Sequence, residues 1–108
     1  MTNYTSIGQS SDDHVLVAST VDTVTFTAHQ YAYVEVECSG SAAVFFTVDG
    51  STPAVDGPAS YEIPAAASPI SRVVPNQHSG STTVKVISAG TPTYSVTCAD
   101  ERLDLSPA

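Results

Sequence analysis

The stretch from Val21 to Cys38 reads VDTVTFTAHQYAYVEVEC and decides the fold class. Its first part, Val21–Ala28, alternates apolar side chains with threonines. Its second part, Tyr31–Cys38, places Ala, Val, Val and Cys on one face and Tyr, Tyr, Glu and Glu on the other. A period of two residues puts successive side chains on opposite faces of a β-strand. The stretch therefore predicts two strands, each with one face toward a core.

Comparable runs continue on both sides of this stretch, separated by turn signals such as Asp49-Gly50-Ser51-Thr52-Pro53. No segment shows the apolar period of a helix over a helical length. We predict an all-β fold, a single antiparallel β-sandwich of roughly seven or eight short strands, immunoglobulin-like or jelly-roll-like. The remaining predicted strands are His14–Ser19, Ala42–Asp49, Ser60–Ile63, Ile70–Val74, Thr82–Ser88 and Thr93–Cys98.

Local composition predicts where several of these strands lie. Ala42–Asp49 is the most apolar run, so we expect it to be the central strand, buried on both faces. Ser60–Ile63 and Ile70–Val74 are bounded by prolines, which places them at sheet edges. Thr82–Ser88 and Thr93–Cys98 flank Ala-Gly-Thr-Pro and are expected to form a hairpin. The predicted core consists of Phe26, Val34, Val36, Val44, Phe46, Val84, Val86, Tyr94 and Val96.

The chain has 108 residues, which suits one domain. We assign residues 14–98 to the sandwich, 1–13 to a flexible N-terminal arm and 99–108 to a C-terminal tail. The arm is polar except at Tyr4 and Ile7, and we expect it to become ordered on a neighbouring subunit. No stretch has the composition of a secretory signal or of a membrane-spanning helix.

The formal net charge is −8, from eleven acidic and three basic residues. Nucleic-acid binding requires clustered Lys and Arg, and Arg72, Lys85 and Arg102 cannot form such a cluster. The negative charge also disfavours anionic membranes. The charge would suit a protein partner that is locally basic, although a solvated acidic surface is the commoner explanation.

No motif in the sequence indicates a cofactor, a metal or catalysis. The three histidines lie far apart, with no zinc-ligand spacing, and no G-x-S-x-G motif is present. Asp49 and Asp56 flank one loop, but turn capping explains them better than a calcium site. Glu35 and Glu37 are best explained as solubilising acids on a sheet face. We expect no enzyme and no cofactor.

Cys38 and Cys98 each end a predicted strand, so they could lie near one another. Two alternatives remain: a disulfide, or two buried thiols that act as small apolar residues, of which we favour the second. The candidate partner-binding residues are Tyr31 and Tyr33 on the polar face of their strand, together with Tyr4 and Ile7 of the arm. Tyrosines are enriched at interfaces, but cross-strand packing is an equal explanation of the pair.

Three further segments are VFFTVDGSTP (Val44–Pro53), RVVP (Arg72–Pro75) and SGSTTVKVISAGTPTYSVT (Ser79–Thr97). Together they resemble small structural proteins encoded among the virion genes of tailed phages, especially those infecting actinobacteria. The DGSTP turn also occurs in immunoglobulin-like domains appended to bacterial glycosidases. The matched motifs are turns and core strands, so no catalytic or ligand residue carries over.

This resemblance implies a virion structural protein made in the host cytoplasm. The leading hypothesis is a capsid decoration (cement) protein that binds the major capsid protein on the outer surface of the shell as a homo-oligomer. An alternative is a tail or head–tail protein of the same virion. A hypothesis from another class is a carbohydrate-binding module for host cell-wall glycans, for which Tyr31, Tyr33 and Tyr61 are the aromatic candidates.

Overall fold

The fold is known from a computed structural model that describes residues 2–6, 13–27, 31–55, 57, 60–76 and 82–99. Within these residues the chain is all-β and contains no helix, as predicted. The described ranges form nine strands, one or two more than expected. The strands are β1 (Thr2–Ser6), β2 (His14–Val15), β3 (Asp22–Phe26), β4 (Tyr33–Gly40), β5 (Val44–Thr47), β6 (Tyr61–Ile63), β7 (Ala66–Pro75), β8 (Thr82–Ser88) and β9 (Thr93–Ala99).

The strands form two sheets, one with the order β1-β3-β8-β5-β6 and one with the order β2-β9-β4-β7. From β2 onward the pairing is nested: β2 pairs with β9, β3 with β8, β4 with β7, and β5 with β6, all antiparallel. The additional pairs β4·β9 and β5·β8 complete the two sheets. Strands β2 to β5 thus pair in reverse order with β6 to β9, as the two arms of one long hairpin do. The strands of each arm are distributed over both sheets.

The inward faces of both sheets meet in one core, which gives a sandwich-like arrangement. Period-two burial along β3, β8 and β9 places every second side chain in this core. All nine residues of the predicted core are buried, so that prediction is confirmed. The core cluster is Leu16, Val24, Phe26, Tyr31, Val34, Val36, Cys38, Val44, Phe46, Val48, Ile63, Val74, Val84, Val86, Tyr94, Val96 and Cys98.

The prolines correctly predicted the edges, since β6 and β7 each end a sheet. The hydrogen-bonding pattern of β7 explains how Pro75 is accommodated at the edge. The amide of Asn76 donates to the carbonyl of Ala32 at 2.8 Å, so Pro75 occupies the next position, whose backbone faces away from β4. A missing N–H there breaks no pairing bond. Strand β5 is buried at every position, as predicted, but the middle of its sheet is β8.

The predicted hairpin between β8 and β9 is wrong, because the two strands belong to different sheets. Their connection crosses the sandwich and packs against the β4–β5 connection. A Cβ on Gly90 would lie 2.7 Å from the Cβ of Ala42, and one on Gly40 would lie 2.9 Å from the Cβ of Pro92. The short connection with its Gly and Pro is compatible with a hairpin and with a crossing between sheets. The close approach at Gly40 and Gly90 is the feature that distinguishes the two.

The N-terminal region also differs from expectation. Thr2–Ser6 is not part of a free arm but forms β1, which pairs parallel with β3 in register Thr2↔Asp22 to Ser6↔Phe26. Polar composition suggested disorder, but Thr and Tyr suit an edge strand whose backbone bonds do not depend on apolar burial. The rest of the predicted arm up to Asp12, including Ile7, lies outside the described residues, as does the tail beyond Ala99.

Candidate functional site

Tyr31 and Tyr33 do not share an exposed face, which corrects the predicted pair. Strand β4 begins at Tyr33, so Tyr31 precedes the period-two register and turns into the core, where it is 8% exposed. Its ring meets Phe26 edge-on at 6.4 Å, and its amide donates to Thr82 Oγ1 at 2.8 Å. Tyr33 remains half-buried on the outer face of the four-stranded sheet, opposite Pro75.

Tyr4 lies at one open side of the sandwich. Its ring stacks on His14 with centroids 3.6 Å apart and an interplanar angle of 14°. Tyr4 belongs to β1 and His14 to β2, which are end strands of opposite sheets. The stack therefore closes the gap between the sheets on this side. A role of Tyr4 in partner binding would have to use the half-exposed part of its ring.

A buried polar pair lies beneath this stack. The hydroxyl of Tyr94, in β9, donates to Asp22 Oδ2, in β3, at 3.0 Å. Asp22 is 2% exposed, so its carboxylate has little contact with water. Burial, and then the neighbouring Asp22, raise the pKa of Tyr94 far above its ordinary value. Tyr94 thus remains a neutral donor and ties the two sheets together.

The opposite side of the sandwich is closed by Arg72 of β7. Its guanidinium lies 4.9 Å from the centre of the Tyr61 ring and donates to the carbonyl of Glu62 at 3.1 Å. Tyr61 and Glu62 belong to β6, the end strand of the other sheet. Aromatic contacts therefore span both open sides, one through a histidine and one through an arginine.

The outer face of the four-stranded sheet is acidic and rich in hydroxyl groups. Along β4 the inward side chains of Val34, Val36 and Cys38 are buried. The side chains that alternate with them point outward, namely Tyr33, Glu35, Glu37 and Ser39. Cross-strand neighbours on this face are small and mostly polar. They are Ser71 and Val73 of β7 and Thr93, Ser95 and Thr97 of β9.

A depression of about 80 Å³ lies at the β2 end of this face. Two carboxylates, Asp13 and Glu37, line it together with the hydroxyls of Ser39, Thr93 and Ser95. Pro69, Cys38 and Tyr94 complete the wall. Five of the eight lining residues are Asp, Glu, Ser or Thr, so the chemistry suits a cationic or hydroxyl-bearing group.

Two exposed valines follow Asp13 along the chain. Val15 and Val17 are 61% and 59% exposed, and Val15 faces Thr93 across β2 and β9. Leu16 between them points inward and is 1% exposed. We call Asp13, Val15, Val17, Glu37 and Thr93 together the β2 edge surface.

The described basic residues lie away from this surface. Arg72 is held in the opposite side of the sandwich, over Tyr61. Lys85 pairs with Thr23 and Thr47, which places it on the outer face of the five-stranded sheet. Arg102 lies outside the described residues. Within the part of the chain that the structure describes, the acidic patch therefore has no cation of its own nearby.

Neither of the two cysteines is in a disulfide, and both are buried. In the β4·β9 register, Cys38 faces Tyr94 and Cys98 faces Val34, so the thiols lie about 13 Å apart along the strands. This separation exceeds the roughly 7 Å that a disulfide spans between Cα atoms. The structure therefore agrees with the favoured alternative of two thiols in the core.

The metal sites considered from the sequence do not form among the described residues. No group of three or more His, Cys, Asp or Glu side chains there could hold a metal ion. Asp49 caps its own turn, since it accepts from the amide of Ser51 at 3.0 Å, as predicted. His29, Asp56 and His78 lie outside the described residues.

Sequence reasoning missed the β2 edge surface. The sequence feature that indicates this surface is the apolar triplet Val15-Leu16-Val17. In a strand, Leu16 lies on the opposite face from both valines. Three apolar residues in a row do not reveal which face is the inner one. The proximity of Asp13 to Glu37 depends on the β2·β9·β4 strand order, which the sequence does not indicate.

No protein-family model matches the chain, and searches of curated proteins and of solved structures also return no match. No helix in the described ranges is long and apolar enough to cross a membrane.

Proposed function

We propose that this chain is a non-catalytic structural protein of a virion, namely a decoration protein that docks on the outside of a phage capsid. The single observation that carries the proposal is the nested pairing β2·β9, β3·β8, β4·β7 and β5·β6 in two sheets over one core. We infer from it a single sandwich of jelly-roll topology. Jelly rolls recur in viral shell proteins. The resemblance of Val44–Pro53 and Ser79–Thr97 to virion proteins supports the same conclusion.

The surface also supports a docking role. A net charge of −8 keeps a free subunit soluble and steers it toward a basic surface. The principal axes measure 34 × 31 × 26 Å, which suits a small module added to a preformed lattice. The partner in this proposal is the major capsid protein, and the docked chain is a homo-oligomer there. A position in the tail of the same virion is the second candidate.

Glycan binding receives less support. Such a module needs exposed aromatic faces, yet Tyr31 is buried and Tyr61 packs beneath Arg72. Tyr33 alone of the three stays half-exposed on an outer sheet face. The acceptors of the depression could hydrogen-bond sugar hydroxyls, but stacking is the larger contribution in aromatic glycan platforms.

The test uses particles of the virus that encodes the chain, produced without its gene. Purified full-length protein is added, free protein is removed by sedimentation, and the retained amount is measured by quantitative mass spectrometry. The proposal predicts saturable retention in a fixed ratio to the major capsid protein and a higher temperature of capsid disruption. Retention on isolated tails instead would move the chain to the second candidate. Retention on neither would overturn the proposal.

A further inference from the structure

We propose that the β2 edge surface binds an extended segment of a partner chain by strand addition, with a Lys or Arg of that segment entering the depression beside Asp13 and Glu37. The inference rests on the proposed function, since it names the surface that would dock. Three features of this surface carry it: the outward backbone groups of Val15, which meet no described strand, two exposed valines, and two carboxylates that have no described Lys or Arg beside them.

The hydrogen-bonding pattern shows that β2 directs a backbone N–H and C=O away from β9. The amide of Leu16 donates to the carbonyl of Pro92 at 2.9 Å, which makes positions 16 and 92 a hydrogen-bonded pair. In an antiparallel ladder the bonded pairs alternate with unbonded ones. Val15, opposite Thr93, is therefore an unbonded position, and its N–H and C=O point away from β9. Since β2 ends its sheet, no described strand meets these groups.

The other edges are less suited to strand addition. Pro75 occupies an outward-facing position of β7 and removes one of its donors. Strand β6 is covered by Arg72, whose guanidinium lies over the Tyr61 ring and donates to the carbonyl of Glu62. Strand β1 presents the exposed polar residues Asn3 and Thr5. Sheet edges are commonly protected by prolines, short length or charge. The β2 edge is only two residues long and has an acid beside it, but it has neither a proline nor a lysine at 13–17.

The side chains define the chemistry of the added strand. Val15 and Val17 project on the same side, so they would contact alternate apolar side chains of an incoming segment. Asp13 and Glu37 border the depression beside them, and the described Arg72 and Lys85 lie elsewhere. A cationic side chain on the incoming segment would supply the missing charge. An acidic segment would be repelled by the net charge of −8.

The experiment is a titration of the ¹⁵N-labelled full-length chain with a short blocked peptide in which valine alternates with lysine, followed by amide chemical shifts. A peptide with glutamate in place of lysine is the matched probe. Val15→Lys tests the apolar edge, and the isosteric Asp13→Asn and Glu37→Gln test the charges. Glu62→Gln is the matched control, because it removes one exposed carboxylate from β6, at the opposite side of the sandwich.

The expected result is a set of shifts centred on Val15, Val17 and Thr93, with no binding of the glutamate peptide. Each of the three edge variants should weaken binding about fivefold or more, and Glu62→Gln should leave it unchanged. Shifts centred elsewhere, equal binding by Val15→Lys, or no binding of the lysine peptide would overturn the proposal. So would a dimer of the free chain, seen by sedimentation velocity, that Val15→Lys abolishes, because the occupant would then be a second copy.

The proposed virion role and the proposed docking surface can be disproved independently of each other. If wild-type protein is retained on capsids and Val15→Lys is retained equally, the docking surface is wrong and the function stands. If the lysine peptide binds at Val15 but the chain is retained on no particle, the surface stands and the virion role is wrong.

Discussion

At the scale of single residues, three buried groups hold their protons more tightly in the folded chain than in water. Burial, with a contribution from Glu37, raises the pKa of Cys38 from 9.0 to about 11. Burial alone raises the pKa of Cys98 from 9.0 to about 12. The pKa of Tyr94 is raised as well, by burial and by Asp22. All three groups titrate at lower pH once the chain unfolds.

Alkaline pH should therefore destabilise the fold. A group with a raised folded-state pKa contributes stability that is complete below its unfolded pKa and is lost as pH rises toward the folded pKa. For the two thiols the loss begins near pH 9 and continues to about pH 11 for Cys38 and about pH 12 for Cys98. The free energy of unfolding should fall by up to about 1.4 kcal/mol per pH unit and per thiol.

Denaturant unfolding between pH 8 and pH 10.5 measures this slope, and a Cys38→Ala/Cys98→Ala double variant is the control. The wild-type chain should lose stability more steeply with pH than the double variant. Equal slopes in the two proteins would show that the thiols titrate alike in the folded and unfolded chains.

The thiols should also resist modification. At pH 8, Ellman's reagent should react with neither cysteine of the native chain, because both are buried and protonated. In denaturant without reductant it should find both thiols free. Two unreactive cysteines in the denatured chain would mean that a disulfide has formed and that the β4·β9 register is wrong.

Phe46 is the large aromatic side chain of β5 in the core, with 0% exposure. Phe46→Ala should lower the free energy of unfolding by about 3–5 kcal/mol through lost burial and the cavity left behind. Val15→Ala, at a position 61% exposed, is the control and should change it by less than about 0.5 kcal/mol. Chemical denaturation of both variants gives the comparison, and similar values would contradict the assigned core.

At the scale of strands, the Tyr4–His14 stack holds β1 against the rest of the sandwich. Tyr4→Ala should leave β3 to β9 folded but should increase hydrogen exchange at the amides of Thr2–Ser6. Thr5→Ala, an exposed position of the same strand, is the control and should change exchange little. Exchange of β1 amides that is fast in the wild-type chain would mean that the segment behaves as the free arm first expected.

The sequence predicted strands well and strand partners poorly, and the difference has a physical cause. Period-two burial is local, so β3, β4, β8 and β9 could be placed to within about two residues. Pairing is not local: whether Thr93 follows Ser88 in the same sheet depends on Gly40, Ala42 and Gly90 fitting together at the crossing. For the same reason the β2 edge surface could not be found, since it joins residues of three strands.

At the scale of the whole molecule, the two sheets are tied together through their shared core and closed at both sides. Asp22–Tyr94 connects the sheets inside, Tyr4–His14 closes one side, and Arg72–Tyr61 closes the other. Closure leaves the outer sheet faces and the β2 edge for contact with other molecules. The net charge of −8 makes those contacts sensitive to salt if the partner is basic.

We propose that the chain works docked on a capsid, and a reconstruction of the intact particle can show whether it does. We expect density for this fold on the outer capsid surface, in a fixed ratio to the major capsid protein. We also expect an extended basic segment of that protein lying along Asp13, Val15 and Val17. A particle that carries no such density, or that shows the chain docked with the β2 edge open to solvent, would contradict these expectations.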